Sequence, residues 1–326
     1  MIMNKNILIM LTCANILMLL LLNHNIVLSI LQEWQSNGPY SHGGLGFVVF
    51  LAAIWQRKKH LSATVIAPSP LGGGLLLISL SALFIASIAS IQQLQQLSLF
   101  AVMVSSIIFL LGINYCKVLF LPLAILLLNL PVWNLLQQPL RILSTEVSYI
   151  FANLMGTHIE REGFLFRTMG GNFEVEPACS GLGFFLVSAL LAVCLSCFER
   201  LKLLQTLKFL SVALLVALLA NWVRIVAIVV VGNETQMQHF IVKDHLTFGW
   251  LVFLVFLIPL ILYSKRFMAG KRHEADQTKT TNTALKLGLV HSSFAFLLVI
   301  STAFGYQWLT SRYDNNYQYS LPRLSS

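Results

Sequence analysis

Residues 209–231 read FLSVALLVALLANWVRIVAIVVV, an apolar run broken only by Ser211, Asn221 and Arg224. A run of this length crosses a bilayer core of about 30 Å as a single helix. Working outward, further apolar runs lie at 7–23, 43–56, 71–90, 97–114, 117–134, 179–197, 246–263 and 285–305. The pattern predicts an all-α polytopic membrane protein with about nine transmembrane helices. Composition agrees: of 326 residues, 57% are hydrophobic and only 10% charged, and the mean hydropathy is +0.79. A soluble domain of this size needs more charge to cover its surface. No stretch has the polarity of a separate soluble domain, so 1–326 reads as one integral membrane domain. Within it, 265–284 reads as a cytoplasmic loop and 306–326 as an outer tail. Ile7–Leu22 follows a lone basic residue, Lys5, and no small-residue cleavage site follows it. It reads as a retained first helix rather than a signal peptide.

A formal charge of +9 raises the question of nucleic acid. The basic residues sit instead in short loops between apolar runs, where they orient helices in a lipid bilayer; no nucleic-acid partner is expected. With the N-terminus in the cytoplasm, 14 of the 21 Lys and Arg fall on the cytoplasmic side, 6 on the other, and Arg224 inside a span. That excess is the one the positive-inside rule requires.

Residues 138–155 place Leu140, Leu143, Val147, Ile150, Phe151 and Leu154 on one helical face, with Arg141, Thr145, Glu146 and Ser148 as polar residues. They read as a helix lying in the outer interface, because a tenth span would set Arg141 and Glu146 near lipid. Next, Phe164–Arg167 and Phe173–Glu176 flank Met169-Gly170-Gly171-Asn172, a pattern that predicts a short β-hairpin on the outer face. The hairpin leads into Glu176-Pro177-Ala178-Cys179-Ser180-Gly181.

Three residues stand out for chemistry. Of five cysteines, Cys13, Cys116, Cys194 and Cys197 lie in or toward the cytoplasmic ends of apolar runs and read as small buried hydrophobes. Cys179 alone falls at the outer face, at or within a turn of a helix N-terminus, where backbone N–H groups favour a thiolate. Arg224 lies well inside its span, at a cost that a polar cavity or a partner must relieve, and Asn221 shares its face. Snorkelling to the headgroups is the structural alternative. His245 opens the next span in Lys243-Asp244-His245 and suits proton transfer, with His239 as its competitor in the same loop. A thiol, a guanidinium and an imidazole converging on one membrane face form a nucleophilic constellation. No His, Asp or Glu set has metal-ligand spacing, and no cofactor is expected.

At these residues the chain resembles the exosortase/archaeosortase family of membrane cysteine transpeptidases. The resemblance rests on Glu176-Pro177-Ala178-Cys179-Ser180-Gly181-Leu182, then Asn221-Trp222-Val223-Arg224-Ile225, then His245-Leu246-Thr247-Phe248-Gly249. Tyr40-Ser41-His42-Gly43-Gly44 adds an early match, and the similarity runs from about residue 30 to 265. It implies an enzyme of the bacterial inner membrane with its site facing the periplasm. The implied substrates are secreted proteins bearing a C-terminal motif such as Pro-Glu-Pro, a transmembrane helix and a basic cluster, and the cleaved chain passes to an unidentified acceptor. By the same resemblance Cys179 is the nucleophile, Arg224 the oxyanion stabiliser and His245 the acid/base, with Asn221, Ser180, Gly181 and Glu176 in support.

Two other readings compete. A rhomboid-like serine protease would use Ser180-Gly181, but the chain has no Gly-x-Ser-Gly. A transporter or export scaffold explains the helices and Arg224, yet leaves a lone outer thiol beside a histidine unexplained.

Overall fold

The computed structural model describes residues 5–36 and 38–268, with side chains to residue 263. The expected span at 285–305, most of the expected loop and the expected tail lie outside the described residues. In chain order the helices are α1 (Lys5–Leu22), α2 (His24–Gln35), α3 (Gly43–Gln56), α4 (Lys58–Ala63), α5 (Pro70–Ile88), α6 (Gln92–Leu110), α7 (Ile113–Leu128) and α8 (Gln137–Leu154). Three short strands follow, β1 (Glu160–Glu162), β2 (Leu165–Thr168) and β3 (Gly171–Glu174). Then come α9 (Leu182–Phe198), α10 (Leu203–Glu234), α11 (Phe240–Lys243) and α12 (His245–Met268).

The protein is a helical membrane protein. Among the described residues, five helices are long and apolar enough to cross a bilayer: α1, α5, α6, α10 and α12. The count becomes six if α7 and α8, joined by a 3₁₀ turn at Pro131–Leu136 and bent by 61°, form one broken span. The runs expected to cross at 43–56 and 179–197 are helical but shorter, α3 with 14 residues and α9 with 17. α2 was not anticipated; its polar residues hid a helix continuing almost directly from α1. α12 runs on to Met268, past the expected start of the 265–284 loop.

The described chain forms two compact units. One takes residues 5–32 and 57–120. Its core gathers Leu8, Leu19, Leu76, Leu80, Leu99, Val102 and Leu110. α5 and α6 approach closely because Gly72 meets the Phe109 backbone, where a Cβ would stand 2.4 Å from the Phe109 nitrogen. Lys5 donates to the carbonyls of Leu61, Ser62 and Thr64 and so closes the end of α4.

The second unit takes residues 33–56 and 121–268 and holds every candidate catalytic residue. Here α10 packs against α8, α9 and α12. α8 buries Leu140, Ser144, Thr145, Ser148 and Ala152, while Leu143, Ile150, Phe151 and Leu154 are exposed. Thr145 and Ser148, two of the polar residues beside the apolar face expected from sequence, are therefore turned into the protein. Small side chains at 144, 148 and 152 let α10 come close, as helices in membranes prefer.

The expected hairpin is part of a three-stranded antiparallel sheet in the order β1-β2-β3, with Phe166 opposite Phe173. Its Glu-Arg-Glu strand β1 has no apolar alternation to betray it. Phe166, Phe173 and Val175 point inward onto Ala152, Ile225 and Val229. Arg141 ties the sheet to α8: Nε donates to the Val175 carbonyl at 2.5 Å, and the guanidinium stacks on Phe164 and pairs with Glu174.

Candidate active site

The path into α9 is a 3₁₀ turn, Pro177–Ser180, whose first residue is a proline with no N–H to leave unpaired. The Cys179 N–H donates back to the Glu176 carbonyl at 2.8 Å. Gly181 then adopts φ +87°, a left-handed conformation that reverses the chain and starts α9 at Leu182. The Ser180 hydroxyl accepts from the Leu182 N–H at 3.4 Å. Cys179 thus sits in a turn ahead of α9, three residues before its first residue.

α10 delivers two polar side chains to this turn. Arg224 is 3% exposed. Its Nη2 lies 3.8 Å from Cys179 Sγ, and its Nε donates to the backbone carbonyl of His245 at 3.3 Å. The guanidinium is directed into the protein, which removes the snorkelling alternative. Phe184, stacked on Phe253 at 4.6 Å, lies with its ring centre 5.8 Å from the guanidinium carbon. One turn before it, Asn221 donates from Nδ2 to the Cys179 carbonyl at 3.0 Å and to Ser144 Oγ at 3.1 Å. Gly181 is close enough to Asn221 that a Cβ there would stand 2.8 Å from its Cγ.

Cys179 and Ser180 are buried, at 8% and 1% exposure. The local electrostatics differ from the expectation of a ready thiolate. Burial pushes the Cys179 thiol above its ordinary value; Arg224 draws it back down, Glu176 pushes it up, and Arg141 adds a smaller downward pull. Glu176 itself is exposed and serves the turn through its carbonyl.

Cys179, Arg224, Asn221, Ser180 and Gly181 are brought together. His245 joins them through its backbone. Its imidazole, on a half-buried side chain, makes no hydrogen bond among the described residues. Asp244 caps the start of α12 by accepting from the Thr247 N–H at 3.2 Å, and that bond holds its carboxyl below the ordinary value. His239 likewise caps α11, its Nδ1 accepting from the Ile241 N–H at 3.4 Å. Both side chains are thus engaged in caps, while His245 is tied to the site by the bond its carbonyl accepts from Arg224.

Ser144 was missed. It lay on a segment read as an interfacial helix, and its only signal was the spacing of Ser144, Ser148 and Ala152 as a small-residue face. The other cysteines are less uniform than expected: Cys197 is buried, Cys116 and Cys194 are half-buried, and Cys13 is exposed. No group of three His, Cys, Asp or Glu gathers as metal ligands among the described residues.

The family model described as transmembrane exosortase matches residues 34–262, a span that contains the turn, α10 and the start of α12. No curated protein and no solved structure matches.

Proposed function

The chain belongs to the transmembrane exosortase family, and from that premise we propose that it is a sorting cysteine transpeptidase with Cys179 as its nucleophile. The observation that carries the proposal is the buried Arg224 guanidinium 3.8 Å from the Cys179 sulfur. An arginine buried in a membrane helix is expensive unless it has a task, and here its fork reaches the one thiol that lies in a turn beside a polar cluster.

In the proposed reaction, Cys179 gives its proton to the His245 imidazole as Sγ bonds to the scissile carbonyl carbon. The oxyanion that forms is stabilised by Arg224, which is already fixed in place. Collapse breaks the C–N bond, and the imidazolium hands its proton to the leaving amine. An acceptor nucleophile, or water, then attacks the thioester; its proton passes through His245 to the departing Cys179 sulfur. For this the imidazole turns toward the thiol when substrate is bound, since catalytic hydrogen bonds tighten in the substrate complex.

The substrates are secreted proteins carrying a C-terminal motif, a transmembrane helix and a basic cluster. The helix of such a substrate enters the same bilayer and sets the cleavage point at the depth of Cys179. The chain is one membrane domain of about nine spans, its N-terminus cytoplasmic and its site at the periplasmic face of a bacterial inner membrane. The excess of Lys and Arg on the cytoplasmic side supports that orientation.

The test is processing of a tagged secreted reporter carrying such a signal, in cells with the wild-type protein or Cys179→Ala at equal membrane abundance. Loss of cleavage in the variant is expected. Undiminished cleavage overturns the proposal and favours a transporter or export scaffold.

A further inference from the structure

The turn that carries Cys179 is held from two helices by one chain of hydrogen bonds. Asn221 on α10 donates through Nδ2 to the Cys179 carbonyl at 3.0 Å and to Ser144 Oγ at 3.1 Å. Ser144 on α8 passes its own O–H to the Ser180 carbonyl at 3.3 Å. Both side chains are fully buried. The two N–H hydrogens of the amide and the one hydroxyl hydrogen are all used, and they run in a single direction toward the turn. A reversed amide would set oxygen against oxygen at the Cys179 carbonyl. Two successive carbonyls, on either side of the Ser180 Cα, are therefore clamped.

We propose that Ser144 and Asn221 are positioning residues that set the direction in which the Cys179 sulfur faces Arg224. The proposal rests on Cys179 being the nucleophile. Neither residue donates to the sulfur; each acts through a carbonyl of the turn. The charged groups acting on the thiol are Arg224 from α10, Arg141 from α8 and Glu176 from its own turn. His245 on α12 adds its carbonyl bond to Arg224. None of these groups changes in Ser144→Ala or Asn221→Ala. A shift in the titration of the thiol in either variant thus reports a change in where the sulfur sits, in its approach to Arg224 or its burial, and not a change of charge.

The experiment compares membranes holding wild type, Ser144→Ala, Asn221→Ala and the double variant at equal abundance. Alkylation of Cys179 by N-ethylmaleimide is followed against pH by mass spectrometry of its peptide, and kcat and KM are measured for reporter processing. Each single variant is expected to raise the pH midpoint of alkylation. Each is also expected to lower kcat by about 10- to 100-fold with KM unchanged, the effect of a small misplacement of a reacting group. The double variant is expected to be no worse than the poorer single, because either change breaks the same chain. An unchanged midpoint with losses that multiply overturns the proposal. Ser144→Thr keeps the hydroxyl and is expected to titrate like wild type; if Ser144→Ala does not accumulate, a threonine variant titrating like Asn221→Ala overturns it instead. Alkylation is read on the resting protein. Undiminished processing by Cys179→Ala would thus remove the proposed function while leaving the alkylation result to decide on the clamp.

Discussion

Arg224 lies across Gly249 so closely that a Cβ on the glycine would stand 2.6 Å from Nε and 3.0 Å from Cζ. α12 thereby supplies two things at once, the His245 carbonyl that receives Nε and the bare backbone that leaves room for it. Gly249→Ala is expected to push the guanidinium off the thiol while leaving the helix itself more stable. Processing should fall by about 100-fold, with membrane abundance unchanged, when the reporter is assayed. Full activity would mean that Arg224 tolerates displacement and has no fixed role.

Arg224→Lys keeps the charge but loses the fork that serves two partners. A single ammonium cannot hold the His245 carbonyl and face Cys179 in the same geometry. A loss of kcat of about 100- to 1,000-fold is expected, the scale of removing one oxyanion donor. Measuring kcat apart from KM checks this, since a lysine that acts only on substrate binding would change KM alone.

The alkylation of Cys179 should depend on pH in a stated direction. Burial disfavours the thiolate and Arg224 favours it. Removing the cation in Arg224→Gln takes away the largest influence that opposes burial, so the thiol is expected to titrate higher than in wild type. The check is the pH midpoint of N-ethylmaleimide labelling; a midpoint that falls would show that another group controls the thiol.

Gly181 holds φ +87° and packs against Asn221. Gly181→Ala is expected to cost about 1–2 kcal/mol for the left-handed backbone alone. The contact with Asn221 adds to that. Thermal aggregation in detergent should begin at a lower temperature, and processing should be lost even at a temperature where the protein persists.

Arg141→Ala removes the bond to the Val175 carbonyl and the stacking on Phe164. A loss of about 1–3 kcal/mol in the anchoring of the sheet is expected. Limited proteolysis between β1 and β3 would reveal it as faster cleavage, and an unchanged rate would mean that the inward Phe166 and Phe173 hold the sheet by themselves.

Much of this protein is legible in one dimension. Phe209–Val231 declares a membrane helix, because in lipid the backbone satisfies its hydrogen bonds internally and a long apolar run has few other outcomes. Arg224 declares itself in the same way, since a charge in that run is costly and needs a reason. Pro177 and Gly181 frame the turn at Cys179, and their types constrain the backbone before any packing is known.

Tertiary structure decided the rest. The strand β1, with its Glu-Arg-Glu sequence, forms because β2 offers it an edge, which no pattern within three residues reveals. Ser144 enters the site because α8 turns its small-residue face toward α10, while Leu143, Ile150, Phe151 and Leu154 stay outside; amphipathicity gives a stripe but not the partner it meets. The state of the thiol also depended on packing. Proximity to a helix start favours a thiolate, but burial is a stronger and opposing effect, and burial depends on neighbours distant in the chain. Local chemistry named Cys179, Arg224 and His245; only the packing of α8, α10 and α12 determined that two of them touch through side chains and the third through its backbone.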